Sequence, residues 1–146
     1  MAQDWFNIQC IDIGCLRTDF GSNEAIKIGS EFAEAAKTFG FVTIRNHGIN
    51  KEMINSVIEQ FQAFMATDEE YRNKFVISND DYGYFPASRD GKYGYDIRLR
   101  GAQWQPDPVL DNEMPDRVPN FEPIVTEYIN SVAALGKILL RLVQCQ

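Results

Sequence analysis

Chemistry at neutral pH most often uses a histidine as its positioned base, and this chain has one histidine, His47. His47 follows Phe41-Val42-Thr43-Ile44-Arg45 and sits in the tight turn Asn46-His47-Gly48. That context favours a hydrogen-bonded turn residue. A Cys–His dyad with Cys10 or Cys15 requires the first strand to pair with the Phe41 strand, and nothing in the sequence places a thiolate there. Zinc bound by Cys10, Cys15, Cys145 and His47 would lack the paired, short-spaced ligands of structural sites. Neither a Gly-x-Gly-x-x-Gly string nor a Gly-x-x-x-x-Gly-Lys-Ser/Thr string occurs. Asp80-Asp81 and Asp68-Glu69-Glu70 read as solvated charge rather than as the facing carboxylates of a glycosidase. The richest patch is 82–95, where tyrosines and glycines mix with Arg89, and Arg98 and Arg100 follow. Recognition surfaces use those residue types. Local β-packing and contact with a substrate or another domain both remain open for it.

The elements that position these residues follow from local patterning. Residues 8–13 read as a strand with Ile11 and Ile13 on one face and Asp12 on the other. Residues 14–21 read as a loop. Ser22 is placed to cap a helix that runs to Phe39, with Ile28, Phe32, Ala35 and Phe39 as its apolar stripe. Glu24, Lys27, Glu31, Glu34 and Lys37 can face water, and Gly40 stops the helix. The β-branched and aromatic run 41–45 reads as a strand. Gly48 can take the positive φ of the turn, and Asn50 can cap the next helix. Ile54, Val57, Ile58, Phe61 and Met65 give that helix its apolar face. Thr67-Asp68-Glu69-Glu70 has the form of a capping box opening a short helix through Lys74.

From 76 to 120 the pattern turns irregular. Tyr82-Gly83-Tyr84-Phe85-Pro86 and Tyr93-Gly94-Tyr95 flank an Asp90-Gly91 turn signal, which predicts an aromatic β-ribbon with cross-strand tyrosine pairs. So long a segment with little regular structure is usually functional, or unfinished on its own. Asn120 then caps a last helix with Pro123 in its first turn. Ile124, Tyr128, Val132, Leu135, Leu139 and Leu142 form its stripe, widened by Val125, Ile129, Ile138 and Val143. So wide a stripe implies something further to cover it.

At 146 residues, 45% hydrophobic and 24% charged, the chain has the composition of a single globular domain. No repeat or low-complexity stretch interrupts it. A net charge of −7 disfavours nucleic acid and anionic lipid as partners, and no apolar run approaches the ~20 residues of a membrane span. The N-terminus lacks a basic start and an apolar signal core, so the three cysteines are expected to be reduced thiols of a cytoplasmic protein.

The string Gly40-Phe41-Val42-Thr43-Ile44-Arg45-Asn46-His47-Gly48-Ile49, preceded by Ile11-Asp12-Ile13 and a helix, resembles the N-terminal domain of the isopenicillin-N-synthase-like iron(II)/2-oxoglutarate dioxygenases. The Gly-Phe-x-x-x-x-Asn-His-Gly-Ile pattern is its specific part. Gly83-Tyr84-Phe85-Pro86 is similar to the family's Gly-Tyr-x-Pro stretch. Asp96-Ile97-Arg98 falls where members often carry Asp-x-Lys-Glu, and Trp104, Pro108, Pro119, Phe121 and Tyr128 resemble the approach to the family's long helix. The resemblance covers about 8–143. Gln9 and Cys10 depart from the family's Ile/Val-Pro, and the Lys and Glu of Asp-x-Lys-Glu are replaced, which marks a divergent member.

The resemblance implies an α+β fold: an N-terminal dioxygenase domain of three to four helices and a few short strands, without the double-stranded β-helix (jelly-roll) core. It makes 1–146 one such domain, whose helix 121–146 leads toward an absent catalytic core. Family members hold Fe(II) with His-x-Asp and a distant His, and bind 2-oxoglutarate with Arg-x-Ser. This chain has one histidine and no Arg-x-Ser. No catalytic residue and no metal ligand is therefore carried over, and the chain alone is expected to bind neither Fe(II) nor 2-oxoglutarate, which belong to the full-length enzyme. Asn46, His47 and Gly48 are the structural motif. Tyr84, Phe85 and Arg89 are candidate substrate contacts. The expected partners are the missing core in cis, or a partner in trans, and a small-molecule substrate in the whole enzyme. The expected function is the N-terminal segment of a non-haem Fe(II)/2-oxoglutarate-dependent oxidoreductase, not catalytic alone. The alternative is a non-catalytic binding or regulatory module that dimerises, or caps a partner, through its last helix. An independent enzyme would need an unrecognised site around Cys10, His47 or the tyrosine patch.

Overall fold

A computed structural model describes residues 8–77, 82–86, 91–97 and 113–144. Among them are four α-helices and two two-stranded sheets, an α+β arrangement without a closed or jelly-roll sheet. The order is β1 (Cys10–Asp12), α1 (Asn23–Phe39), β2 (Thr43–Arg45), α2 (Lys51–Met65), α3 (Glu69–Arg72), β3 (Gly83–Phe85), β4 (Gly94–Asp96) and α4 (Phe121–Gln144). Contacts divide the chain into two units, Met1–Asn50 with Ser131–Gln146, and Lys51–Asn130. None of the described helices is long and apolar enough to cross a membrane.

The first unit is built on a β-α-β turn. β1 and β2 run parallel, with Cys10 opposite Thr43, Ile11 opposite Ile44 and Asp12 opposite Arg45. Parallel strands need a crossover, and α1 supplies it. Its ends are set chemically. Ser22 Oγ accepts from the Ala25 N–H at 3.2 Å, and Gly40 adopts φ 74°, its N–H donating to the Ala36 carbonyl at 2.9 Å. Both match the ends read from sequence.

The core of this unit gathers Ile11, Ile13, Leu16, Ala25, Ile28, Ala35 and Leu142. Two expectations shift. Part of the 14–21 loop is a short 3₁₀ turn, Gly14–Arg17, that buries Leu16. Asp12 closes it, because Oδ1 accepts from the Gly14 N–H at 3.0 Å. β2 is also shorter than the 41–45 run: β1 offers only three residues to pair with, and Phe41 stands 65% exposed.

The second unit is organised by Phe64. Sequence periodicity put Ile58 in the apolar stripe of α2, but Ile58 is 49% exposed, while Phe64, which that stripe omitted, is fully buried. Six aromatic rings surround it, with centroids 5.3 Å (Tyr84) to 6.5 Å (Tyr71) away. Phe75, Tyr84 and Tyr95 meet it edge-on, the geometry that sets ring edges against a π-face.

β3 and β4 pair antiparallel with Tyr84 opposite Tyr95, as the ribbon reading expects. Its turn at 87–90 lies outside the described residues. Gly83 has φ 125°, and a Cβ there would stand 2.5 Å from the Phe75 carbonyl oxygen, so no other residue fits without backbone movement.

The cap of α3 differs from the capping-box expectation by one position. Asp68 is the N-cap, its Oδ1 accepting from the Tyr71 N–H at 2.8 Å. Thr67 instead donates to the Phe64 carbonyl at 2.7 Å and finishes α2. The short helix ends at Arg72, and a 3₁₀ turn (Asn73–Phe75) continues it.

α4 starts directly after Asn120, as expected, with Pro123 in its first turn. Phe121, Val125 and Ile129 pack into the second unit's core. Leu135, Ile138, Leu139 and Leu142 pack into the first unit's core. Val132, Leu140 and Val143 are 40%, 66% and 56% exposed.

Candidate functional site

The turn carrying His47 is assembled around Asp12. This carboxylate ends β1 opposite Arg45, because parallel pairing brings the two strand ends together. Its Oδ2 accepts from Asn46 Nδ2 at 2.7 Å and from Arg45 Nε at 3.1 Å, while Oδ1 holds the Gly14 N–H. The Gly14 N–H chiefly, then the Asn46 amide and the Arg45 cation, hold the Asp12 carboxyl below its ordinary value, against an opposing desolvation. Asn46 lies in left-handed backbone at φ 58°, a region asparagine tolerates better than most residues. Gly48 follows at φ 85°.

His47 Nδ1 accepts from the Ile49 N–H at 3.2 Å. The neutral ring therefore carries its proton on Nε2. The Arg17 guanidinium lies against Gly48: a Cβ there would meet Cζ at 2.5 Å, Nη1 at 2.7 Å and Nε at 2.8 Å. These residues line a concavity of about 400 Å³. Asn46, His47 and Gly48 are thus brought together in one turn.

The tyrosine ribbon divides by face. Tyr84 is 3% exposed and its ring packs edge-on against Phe64. Phe85 lies across the ribbon over Gly94, where a Cβ would stand 1.9 Å from its ring. Arg89, Arg98 and Arg100 lie outside the described residues. Tyr95 donates to the Glu113 carbonyl, and its hydroxyl pKa is raised, first by burial and then by Glu113.

A polar network in this unit escaped the sequence reading. The Tyr71 hydroxyl donates to Asp116 Oδ1 at 2.6 Å and accepts from the Arg117 N–H at 2.8 Å. The Arg117 guanidinium sits 4.4 Å from the Tyr71 ring centroid and reaches Asp68 Oδ2 at 3.0 Å. Burial, then the Asp116 bond, raises the Tyr71 hydroxyl. The same bond holds Asp116 low, and the Tyr71 N–H does so for Asp68. Only the Asp68 cap left a local signal.

Cys10 is exposed and Cys15 half-buried, and both are free. Burial, then Glu24, pushes the Cys15 thiol up, the wrong direction for a nucleophile. Cys145, Asp80 and Asp81 lie outside the described residues.

The donor set does not fit a two-histidine iron centre. The chain has one histidine, and one of its ring nitrogens already accepts a backbone bond. Among the described residues, no three of His, Cys, Asp and Glu are grouped to hold a metal ion.

Residues 8–120 match the family model described as "non-haem dioxygenase in morphine synthesis N-terminal". Isopenicillin N synthase of Amycolatopsis lactamdurans is 25% identical over 153 residues, covering 92% of this chain and 45% of that enzyme. A 1-aminocyclopropane-1-carboxylate oxidase of Dictyostelium mucoroides is 26% identical over 97 residues, 64% of this chain and 26% of that one. Among solved structures, a full-length Neurospora crassa protein in complex with alpha-KG aligns at TM-score 0.77 and 18% identity, over 92% of this chain and 41% of that one. A 2OG-Fe(II) oxygenase family protein of Caulobacter crescentus aligns at TM-score 0.72 and 18% identity, over 94% and 47%. The chain spans just under half the length of the isopenicillin N synthases it matches. It belongs to the family whose model it matches, the N-terminal domain of the isopenicillin-N-synthase-like 2-oxoglutarate/Fe(II) oxygenases.

Proposed function

We propose that this chain is the N-terminal part of a non-haem Fe(II)/2-oxoglutarate oxidoreductase that acts on a small molecule. It supports the catalytic core and carries none of the iron ligands. One observation carries this reading. The match takes in 92% of the chain but 45% of the relative, and the chain's single histidine belongs to the Asn-His-Gly turn. The reaction's Fe(II), 2-oxoglutarate and oxygen chemistry would reside in the other part of such an enzyme. The ribbon would lend shape to the substrate through Tyr84, Phe85 and Arg89.

Anaerobic Fe(II) titration and 2-oxoglutarate turnover test the chain's share of this chemistry. Neither stoichiometric iron nor succinate is expected from these 146 residues. Tight one-to-one iron binding with succinate release would contradict the reading.

The exposed Val132, Leu140 and Val143 favour a second reading, a non-catalytic module that docks through α4. Light scattering separates the two: a stable symmetric dimer supports the module.

A further inference from the structure

Around His47, the polar groups differ in what they still offer. The Asp12 carboxylate is occupied by Gly14, Arg45 and Asn46. His47 has spent Nδ1 on the Ile49 N–H and keeps Nε2–H as a donor. Arg17 is exposed and has no hydrogen-bond or ion-pair partner among the described residues. Its Cζ would be nearest a Gly48 Cβ, with Nη1 and Nε slightly farther, so the guanidinium turns its face to the glycine. Its N–H edge is left free. Gly14, Arg17, Asn46, His47 and Gly48 line a concavity of about 400 Å³, a size that small ligands occupy.

A carboxylate already holding three donors, beside an unspent guanidinium and an unspent ring N–H, leaves this corner with donors to offer. We propose that it binds a small oxyanion, a carboxylate or a phosphate. Arg17 supplies the fork and His47 Nε2 the second donor. The chain's net charge of −7 opposes anions at long range. Salt screens that field beyond roughly 10 Å, so the groups in contact decide binding. Gly48 fits this assignment, since any side chain there would displace the guanidinium. The assignment rests on this corner alone and stands or falls apart from the reading of the chain as part of an oxygenase.

The test is NMR titration of the whole isotope-labelled chain with inorganic phosphate and, separately, with acetate, at ionic strength held constant with chloride. Saturable shifts are expected at the Gly48 and Ile49 amides and at Arg17 Nε–H. Arg17→Gln, a surface change, should keep the melting temperature and weaken binding by about tenfold or more, as expected for loss of a charge-assisted fork. His47→Ala should weaken it less. Binding of phosphate alone identifies a phosphate site, and saturable binding of acetate as well extends it to carboxylates. No saturable shift with either anion, or equal binding by Arg17→Gln, would overturn the proposal.

Discussion

Asn46 donates from Nδ2 to Asp12 Oδ2 at 2.7 Å across 34 positions of sequence, and does so from left-handed backbone at φ 58°. That bond ties the end of the first strand to the Asn-His-Gly turn. It gives the family motif a structural job, with the carboxylate acting as the common acceptor for the 3₁₀ turn, β2 and the turn itself. Asp12→Ala should therefore lower the melting temperature, and Asp12→Asn should lower it less. The sign of the pH effect follows from the direction of the shift. The folded pKa lies below the ordinary 3.8, so the stabilisation is complete well above that value. It is lost as pH falls through the folded pKa. Melting curves should show the wild-type advantage over Asp12→Asn constant near neutrality and closing below about pH 4. An advantage unchanged at about pH 2 would contradict the arrangement.

Phe64 is fully buried at the centre of the ring cluster. Phe64→Ala should destabilise the chain by about 3–5 kcal/mol in urea denaturation, and Phe64→Leu by less. A loss under about 1 kcal/mol would mean the rings do not close on it.

Two glycines should respond with opposite signs. Gly83→Ala forces a Cβ to 2.5 Å from the Phe75 carbonyl oxygen at φ 125° and should destabilise. Gly136 lies inside α4, and among the described residues nothing stands within 4 Å of its Cβ direction. Gly136→Ala should stabilise by roughly 0.5–1 kcal/mol, the helix propensity difference. Equal effects by differential scanning calorimetry would contradict this.

Leu140 and Leu142 are near neighbours on α4 with opposite environments, 66% and 2% exposed. Leu142→Ala should lower stability by about 2–5 kcal/mol. Leu140→Lys should leave the melting temperature nearly unchanged and reduce binding of an apolar dye. Dye binding untouched by Leu140→Lys would show that this face is not the exposed apolar surface.

What could be read from sequence was local. Ser22 and Gly40 marked both ends of α1 because a cap and a left-handed stop each act within a few residues. A cross-strand tyrosine pair was legible because two aromatic arms flank an Asp-Gly turn signal, whereas the register that sets Tyr84 opposite Tyr95 was not. The rest depended on contacts that local patterns do not carry. The Tyr71–Asp116 bond spans 45 positions and had no local signature. Thr67 and Asp68 are both good caps, and the choice between them was made by the Phe64 carbonyl capturing Thr67. Phe64 escaped the periodic stripe because its burial comes from residues on other elements, notably Tyr84, Tyr95 and Phe121. The histidine count needed no structure at all, and it limits what the site can do.

The reading frame beyond codon 146 tests the central claim most directly. The account predicts that the transcript continues into a His-x-Asp string, a distant histidine and an Arg-x-Ser pair. A stop codon directly after Gln146 would contradict it and leave α4 as the docking face of a non-catalytic module.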